Sequence, residues 1–393
     1  MLLRLRKGED RRLRAGHPWV FSNEVDTAST PLTAFTPALT ARVVSDRDAF
    51  LGYAYVNPHA LISARLLSRD ERREPDAALL AGRIGRALRL RARLYPTPHY
   101  RLVFGESDEL PGLILDRYGD VVVGQIATAG MEARKADIEA AVREVVAPRT
   151  LVWKNDGSAR DLEQLPKELT VAFGALPETL EIIENGIAFG APLGQGQKTG
   201  WFYDQAANRA RLRDLLPQGA RVLDVCSYAG AWAVTALHAG AREAVCVDAS
   251  ASALEAASRN AGRHGMQVEP LRGDAFEVLE ALAGAGRRFD AIVLDPPAFA
   301  KRRKDLPKAQ AAYRKLNQFA LRLLDDEGLL VSCSCSWHLP ESELLAAIQS
   351  AARHVSRFVQ VLAVGGQAPD HPLHPAIPET RYLKAFFCRV LTG

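Results

Sequence analysis

Asp224-Val225-Cys226-Ser227-Tyr228-Ala229-Gly230 follows the apolar run Arg221-Val222-Leu223 and leads into Ala231-Trp232-Ala233-Val234-Thr235-Ala236-Leu237, a strand that turns sharply into a helix. The alternation continues outward. Strands are expected at Ala244 to Val247, Ala291 to Leu294 and Leu329 to Ser334, and helices at Ser252 to His264, Ala309 to Leu324 and Glu341 to His354. Strand and helix in turn predict an α/β, Rossmann-like domain over 191–393, its mostly parallel sheet covered on both faces because crossovers between parallel strands are long and right-handed. Ligands of such sheets bind beyond the carboxyl ends of the strands, which selects the residues to weigh.

Four aspartates stand there: Asp224, Asp248, Asp274 in Gly273-Asp274-Ala275-Phe276, and Asp295 in Asp295-Pro296-Pro297. Taken singly, each reads as a helix N-cap. Together they suggest more. The first turn lacks Gly-x-Gly-x-x-Gly, so a pyrophosphate is disfavoured, and an acid in its place suits the cationic amino group of a methionine-derived cofactor. Asp248 could take both ribose hydroxyls and Asp274 an adenine amine.

Cys333 and Cys335, in Ser332-Cys333-Ser334-Cys335-Ser336, close the strand that follows Asp295-Pro296-Pro297. At i and i+2 an extended chain points both to one face, with Cys335 nearer the loop. Cys333 reads as packing and Cys335 as a nucleophile, which must be partly exposed and able to ionise. Cys226, Cys246 and Cys388 read as structural. Five cysteines, an odd number without Cys-x-x-Cys spacing, make neither a disulfide framework nor a zinc site, so no metal is expected.

The rest of the chain is ordinary for a globular protein, with 48% hydrophobic and 24% charged residues. No apolar run is long enough for a bilayer, and Met1-Leu2-Leu3-Arg4-Leu5-Arg6-Lys7 meets charge too early for a secretory signal, so a cytoplasmic location without membrane contact is expected. Residues 1–94 hold 17 Lys+Arg against 10 Asp+Glu, a surplus of seven within a chain whose net charge is only +4. Short strands over 1–75 suggest a small β-barrel-like domain, with Arg11, Arg12 and Arg14 as candidate phosphate contacts. Residues 76–190 read as a linker helix, whose arginines at 83, 86, 89, 91 and 93 read as a solvated face, followed by a compact α+β module.

The aspartate set resembles the class I S-adenosylmethionine-dependent methyltransferases, which implies a seven-stranded sheet, cofactor roles for Asp224, Asp248 and Asp274, and a place at the substrate for Asp295. Over the whole length the chain is similar to the bacterial large-subunit (23S) ribosomal RNA 5-methylcytosine methyltransferases that carry an amino-terminal PUA domain. The matching stretches are Gly16-His17-Pro18-Trp19-Val20-Phe21, Gly105-Glu106-Ser107-Asp108, Leu113-Ile114-Leu115-Asp116-Arg117-Tyr118, Gly196-Gln197-Lys198-Thr199-Gly200-Trp201-Phe202-Tyr203-Asp204-Gln205 and Tyr382-Leu383-Lys384. That resemblance implies a PUA fold at the front and a cofactor pocket built from Gln197, Lys198, Thr199, Ser227, Tyr228, Gly230 and the aspartates, Asp295 included. It further implies RNA as partner, held at Pro296, Pro297 and Phe299, and covalent catalysis by Cys335 with Asp295. A homodimer is left open. Two positions depart from the pattern: Trp337 stands where relatives carry glycine, and Ala298 follows Asp295-Pro296-Pro297 where eukaryotic-type enzymes place a second cysteine. Two other readings stay open, methylation of an exocyclic amine such as adenine N6 and a catalytically silent RNA-binding assembly factor.

Overall fold

The computed structural model describes residues 1–193 and 199–393. They form two compact units, one of residues 1–180, 193–201 and 370–380, the other of residues 181–192, 202–369 and 381–393.

The first unit contains two five-stranded sheets. In one, β1 (Leu2–Arg4), β2 (Trp19–Phe21), β3 (Leu39–Val44), β4 (Phe50–Val56) and β5 (Ile62–Ser68) lie in the order β1-β3-β4-β5-β2 over a core that includes Leu3, Leu13, Val20, Val43 and Val56. In the other, β6 (His99–Phe104), β7 (Leu113–Tyr118), β8 (Val121–Ile126), β9 (Thr150–Asn155) and β10 (Glu168–Phe173) lie in sequence order. The helix Ala77–Leu94 packs Leu80, Ile84 and Ala87 into the same cluster as Trp153.

Its arginines are not one solvated face. Arg91 is fully buried and grips both oxygens of Asp108 at 2.6 and 2.8 Å, and buried Arg83 donates to the Glu109 carbonyl at 2.6 Å. The planar, multi-donor guanidinium allows this, because it can satisfy several acceptors at once while its stem packs with apolar side chains. Arg86, Arg89 and Arg93 keep the solvated position.

β11 (Thr179–Glu184) and β12 (Ile187–Pro192) make a two-stranded ladder. The second unit is built on a seven-stranded sheet of β13 (Arg221–Val225), β14 (Glu243–Asp248), β15 (Glu269–Arg272), β16 (Phe289–Leu294), β17 (Leu324–Ser334), β18 (Arg357–Gly365) and β19 (Lys384–Thr392), in the order β15-β14-β13-β16-β17-β19-β18. The first five strands are parallel, and β19 enters antiparallel between β17 and β18. Strands such as Phe289–Leu294, apolar and buried except at Asp290, require cover on both faces. On one face lie helices such as Leu306–Leu323, whose Ala309, Tyr313, Leu316 and Ala320 recur at helical spacing and join Leu294 and Leu330 in the core. On the other face Trp232 and Ala236 pack against Val222, Val293 and Val331.

No helix among the described residues is long and apolar enough to cross a membrane.

Candidate active site

β13, β14 and β16 are in register, with Asp224 opposite Cys246 on one side and Val293 on the other, so they end on one edge of the sheet. Beyond β13 the chain turns on three residues of positive φ, Cys226 at 64°, Tyr228 at 49° and Gly230 at 73°. Glycine takes such angles freely; Cys226 and Tyr228 do so against steric cost, which the surroundings must over-determine. The amides of Cys226 and Ser227 donate to the Val247 carbonyl at 2.8 and 3.1 Å, and the Tyr228 amide donates to Asp248 Oδ2 at 3.0 Å. At Gly230 an added Cβ would stand 2.7 Å from the Ala257 Cβ. The sequence lacks the glycine pattern, yet the backbone still makes a tight loop.

Asp224 is fully buried. Its Oδ2 accepts from the Ala233 amide at 3.1 Å in the first turn of the helix Ala231–His238, and its Oδ1 has no hydrogen-bond partner among the described residues. Burial pushes the carboxyl up to about 8, and the negative charges of Asp295 and Asp248 add to the rise. Asp248 also accepts from the Ser250 amide at 2.9 Å, and Asp274 is exposed and caps the helix Ala275–Gly284 through the Phe276 amide at 2.9 Å. The bland capping role is therefore real at Asp274. All four carboxylates nonetheless bear on the Cys226 thiol, which burial first and then their charge push far upward, so they share one neighbourhood.

Asp295 is placed by two residues that sequence reasoning missed. Gln205 Nε2 donates to Oδ1 at 2.9 Å and the Trp232 indole to Oδ2 at 3.0 Å, while the Asp295 amide bonds the Val225 carbonyl at 3.2 Å. Desolvation raises its carboxyl above the usual range against these donors. Pro296 is buried and Pro297 exposed. Phe299 is held in an aromatic cluster, its ring 4.9 Å from Tyr313 and 6.4 Å from Phe276, and the Ala300 amide donates to Ser336 Oγ at 3.2 Å.

The two candidate thiols differ in burial. Cys333 is fully buried among Trp232, Val331 and Phe387, and burial raises it well above a normal thiol. Cys335 lies just beyond Ser334, where β17 ends, and is half-buried with Sγ 3.9 Å from the Pro296 carbonyl oxygen. The turn is fixed by Ser334 Oγ, which accepts from the Tyr313 hydroxyl at 2.8 Å and from the Ser336 amide at 3.2 Å. Trp337 is exposed and stacks edge-on with His338 at 4.7 Å. None of the five cysteines is in a disulfide, and no cluster of three metal-ligating side chains occurs among the described residues.

Gln197 and Lys198 lie outside the described residues. Thr199, in the first unit, is fully buried there and its hydroxyl donates to Asp116 Oδ2 at 2.5 Å, a carboxylate that also receives Arg101. In that unit Arg12 pairs with Glu24 at 2.7 Å and lies over the Phe21 ring, and Arg14 pairs with Asp10 at 2.6 Å, whereas Arg11 is exposed and has no ion pair among the described residues.

Comparison with known proteins accounts for both ends of the chain. A model of a PUA-like domain matches residues 3–69, and one of an S-adenosylmethionine-dependent methyltransferase matches residues 169–385. The chain belongs to the S-adenosylmethionine-dependent methyltransferases. Its front end is a PUA-like domain. Proteins named ribosomal RNA large subunit methyltransferase I are similar over 98% of both chains, that of Erwinia tasmaniensis at 34% identity and that of Yersinia pestis at 32%. Among solved structures, a methyltransferase complexed with SAH superposes with a TM-score of 0.84 at 22% identity, covering 99% of this chain and all of that one. A SAM-dependent methyltransferase from Streptococcus mutans gives 0.82 with the same identity and coverage. The site suits the methyltransferase cofactor, S-adenosylmethionine, because the unpartnered buried oxygen of Asp224 and the acids around it offer acceptors and negative charge to a cationic ligand, and nothing in the loop invites a phosphate.

Proposed function

We propose that the protein methylates large-subunit (23S) ribosomal RNA at a cytosine C5, with Cys335 as the nucleophile. The observation that carries this reading is the Cys335 thiol, half-buried beyond the end of β17 and 3.9 Å from the Pro296 carbonyl oxygen. Methylation of an exocyclic amine needs no thiol, and a silent binding factor needs no set of carboxylates around an unpartnered acceptor. The names and length match of the relatives point to the same substrate, and a cytoplasmic location goes with it.

S-adenosylmethionine, when bound, supplies an electrophilic methyl group. Cytosine C5 is too weakly nucleophilic to take it unaided. Addition of the Cys335 thiolate to C6 turns C5 into an enamine carbon that can; loss of the C5 proton to a base and elimination of the thiolate restore the ring. A base must leave its stack to meet the thiol, and Asp295 with the Pro296-Pro297 backbone offers hydrogen-bond partners for N3 or the exocyclic amine. The Gln205 and Trp232 donors hold that carboxylate in place. The cofactor residues of this reading are Asp224, Ser227, Tyr228, Gly230, Asp248 and Asp274, with Gln197, Lys198 and Thr199 added by the family resemblance. Phe299, fixed against Tyr313, shapes the pocket wall beside the base, and Arg11, Arg12 and Arg14 are its RNA contacts.

Nucleoside mass spectrometry of ribosomal RNA treated with the purified protein tests this directly. 5-Methylcytosine should form with wild type and fall by at least about a thousandfold with Cys335→Ala, while cofactor affinity stays within a factor of about two. N6-methyladenine as the product, or an active Cys335→Ala protein, would refute it.

A further inference from the structure

β17 and β19 run antiparallel with Ser334 opposite Lys384. From there the lysine side chain reaches past the end of β17, and its Nζ donates to the Ser336 carbonyl at 2.6 Å. Its two points of attachment thus bracket Cys335. Lys384 is only 4% exposed, and among the described residues it has no carboxylate within ion-pair distance. Glu341, which bears on it, is itself paired with Arg381 at 2.9 Å.

A buried ammonium without an anion is costly, so the site favours either a neutral amine or a nearby negative charge. Burial brings the Lys384 amine down to about 8; the Arg381 charge lowers it further, while negative charge at Cys335 and Glu341 draws it up. Asp295, whose charge bears on Cys333 and Tyr313 together with that of Cys335, works against an anion on sulfur. Lys384, which responds to the charge of Cys335, is a cation that works for it.

We propose that Lys384 is the positioning residue that makes Cys335 nucleophilic, taking the thiol proton onto Nζ and holding the resulting ammonium against the thiolate. The S–H bond breaks and an N–H bond forms, converting a neutral pair to an ion pair with no other reactant. When the thiolate is eliminated at the end of the cycle, the same ammonium is there to receive it. This rests on the reading of Cys335 as nucleophile.

Alkylation of Cys335 by iodoacetamide, followed across pH by peptide mass spectrometry on the intact protein, tests the pairing without requiring methyl transfer. The midpoint should rise by about one unit or more in Lys384→Met and Lys384→Gln, slowing alkylation at neutral pH about tenfold, and should stay low in Lys384→Arg. Glutamine can still donate to the Ser336 carbonyl. A wild-type midpoint in Lys384→Gln would therefore mean that the lysine only ties the strands, and the proposal would fall. It falls equally if a folded Lys384→Met protein titrates like wild type; if methionine is not tolerated, the glutamine and arginine variants decide. The acid limb of kcat/KM for methyl transfer should move with the alkylation midpoint. A protein that makes no 5-methylcytosine but shows the shifted midpoint would refute the proposed reaction and leave the lysine–thiol pair standing.

Discussion

Replacing Asp224 by asparagine should make the protein's stability less sensitive to pH, and by a calculable amount. In the folded chain the carboxyl is held up to about 8, chiefly by burial; in the unfolded chain it ionises near its ordinary value of about 3.9. Below about pH 4 it is protonated in both states and contributes nothing. As pH rises, the unfolded state releases the proton and the folded state does not, so stability falls by about 1.4 kcal/mol per unit until the folded group also ionises. From about pH 5 to about pH 8 this amounts to roughly 4 kcal/mol, lost by the wild type and not by Asp224→Asn. The amide brings its own penalty of about 1–3 kcal/mol, since its NH2 would replace the unpartnered Oδ1, but that offset is independent of pH. Urea unfolding of both proteins across this range measures the difference in slope. The bound cofactor's positive charge should reverse the shift, so calorimetry at pH 7 in buffers of different ionisation enthalpy should show close to one proton released by wild type and none by the variant. Parallel stability curves for the two proteins would refute the burial argument outright.

Glu184→Ala removes the carboxylate that grips the buried Arg209 at 2.5 and 2.7 Å, and should cost about 3–5 kcal/mol in urea unfolding. Gly230→Ala combines a positive φ with a 2.7 Å approach to Ala257 and should lose about 2 kcal/mol, with weaker cofactor binding by calorimetry. Asp295→Asn turns an amide donor toward either Gln205 Nε2 or the Trp232 indole; turnover measured with labelled cofactor should fall at least about a hundredfold while the RNA dissociation constant changes less.

Of the parallel strands of the large sheet, β13, β14, β16 and β17 were legible because each carries an apolar run closed by a turn, as at Arg221-Val222-Leu223-Asp224-Val225. β15 was not: Glu269-Pro270-Leu271-Arg272 is short and polar, and only its place beside β14 makes it a strand. β18 and β19 escaped for the opposite reason. Their order in the sheet reverses their order in the chain, which no local pattern encodes. In the site, acids at strand ends could be found by position, but Gln205 and Trp232 meet Asp295 from sequence distances of 90 and 63 residues, and neither amide nor indole carries a motif. Lys384 did leave a trace, a charged residue opening the apolar run Ala385-Phe386-Phe387-Cys388. The arginines of the helix Ala77–Leu94 show the limit of charge patterning, since Arg91 carries the same letter whether it faces water or Asp108.

β19 follows every other strand of the sheet in the chain but is inserted in its interior, between β17 and β18. During synthesis, β18 has no hydrogen-bonded neighbour until β19 is made, so the sheet cannot close by simple addition at its edge. Pairings of this kind form late in folding, because distant segments must meet before any contact rewards them. The residue that opens β19 is Lys384. Biosynthetic order would thus keep Lys384 from the Ser336 carbonyl until the domain is finished, and on the proposed pairing a growing or misassembled chain would carry Cys335 without its activating amine.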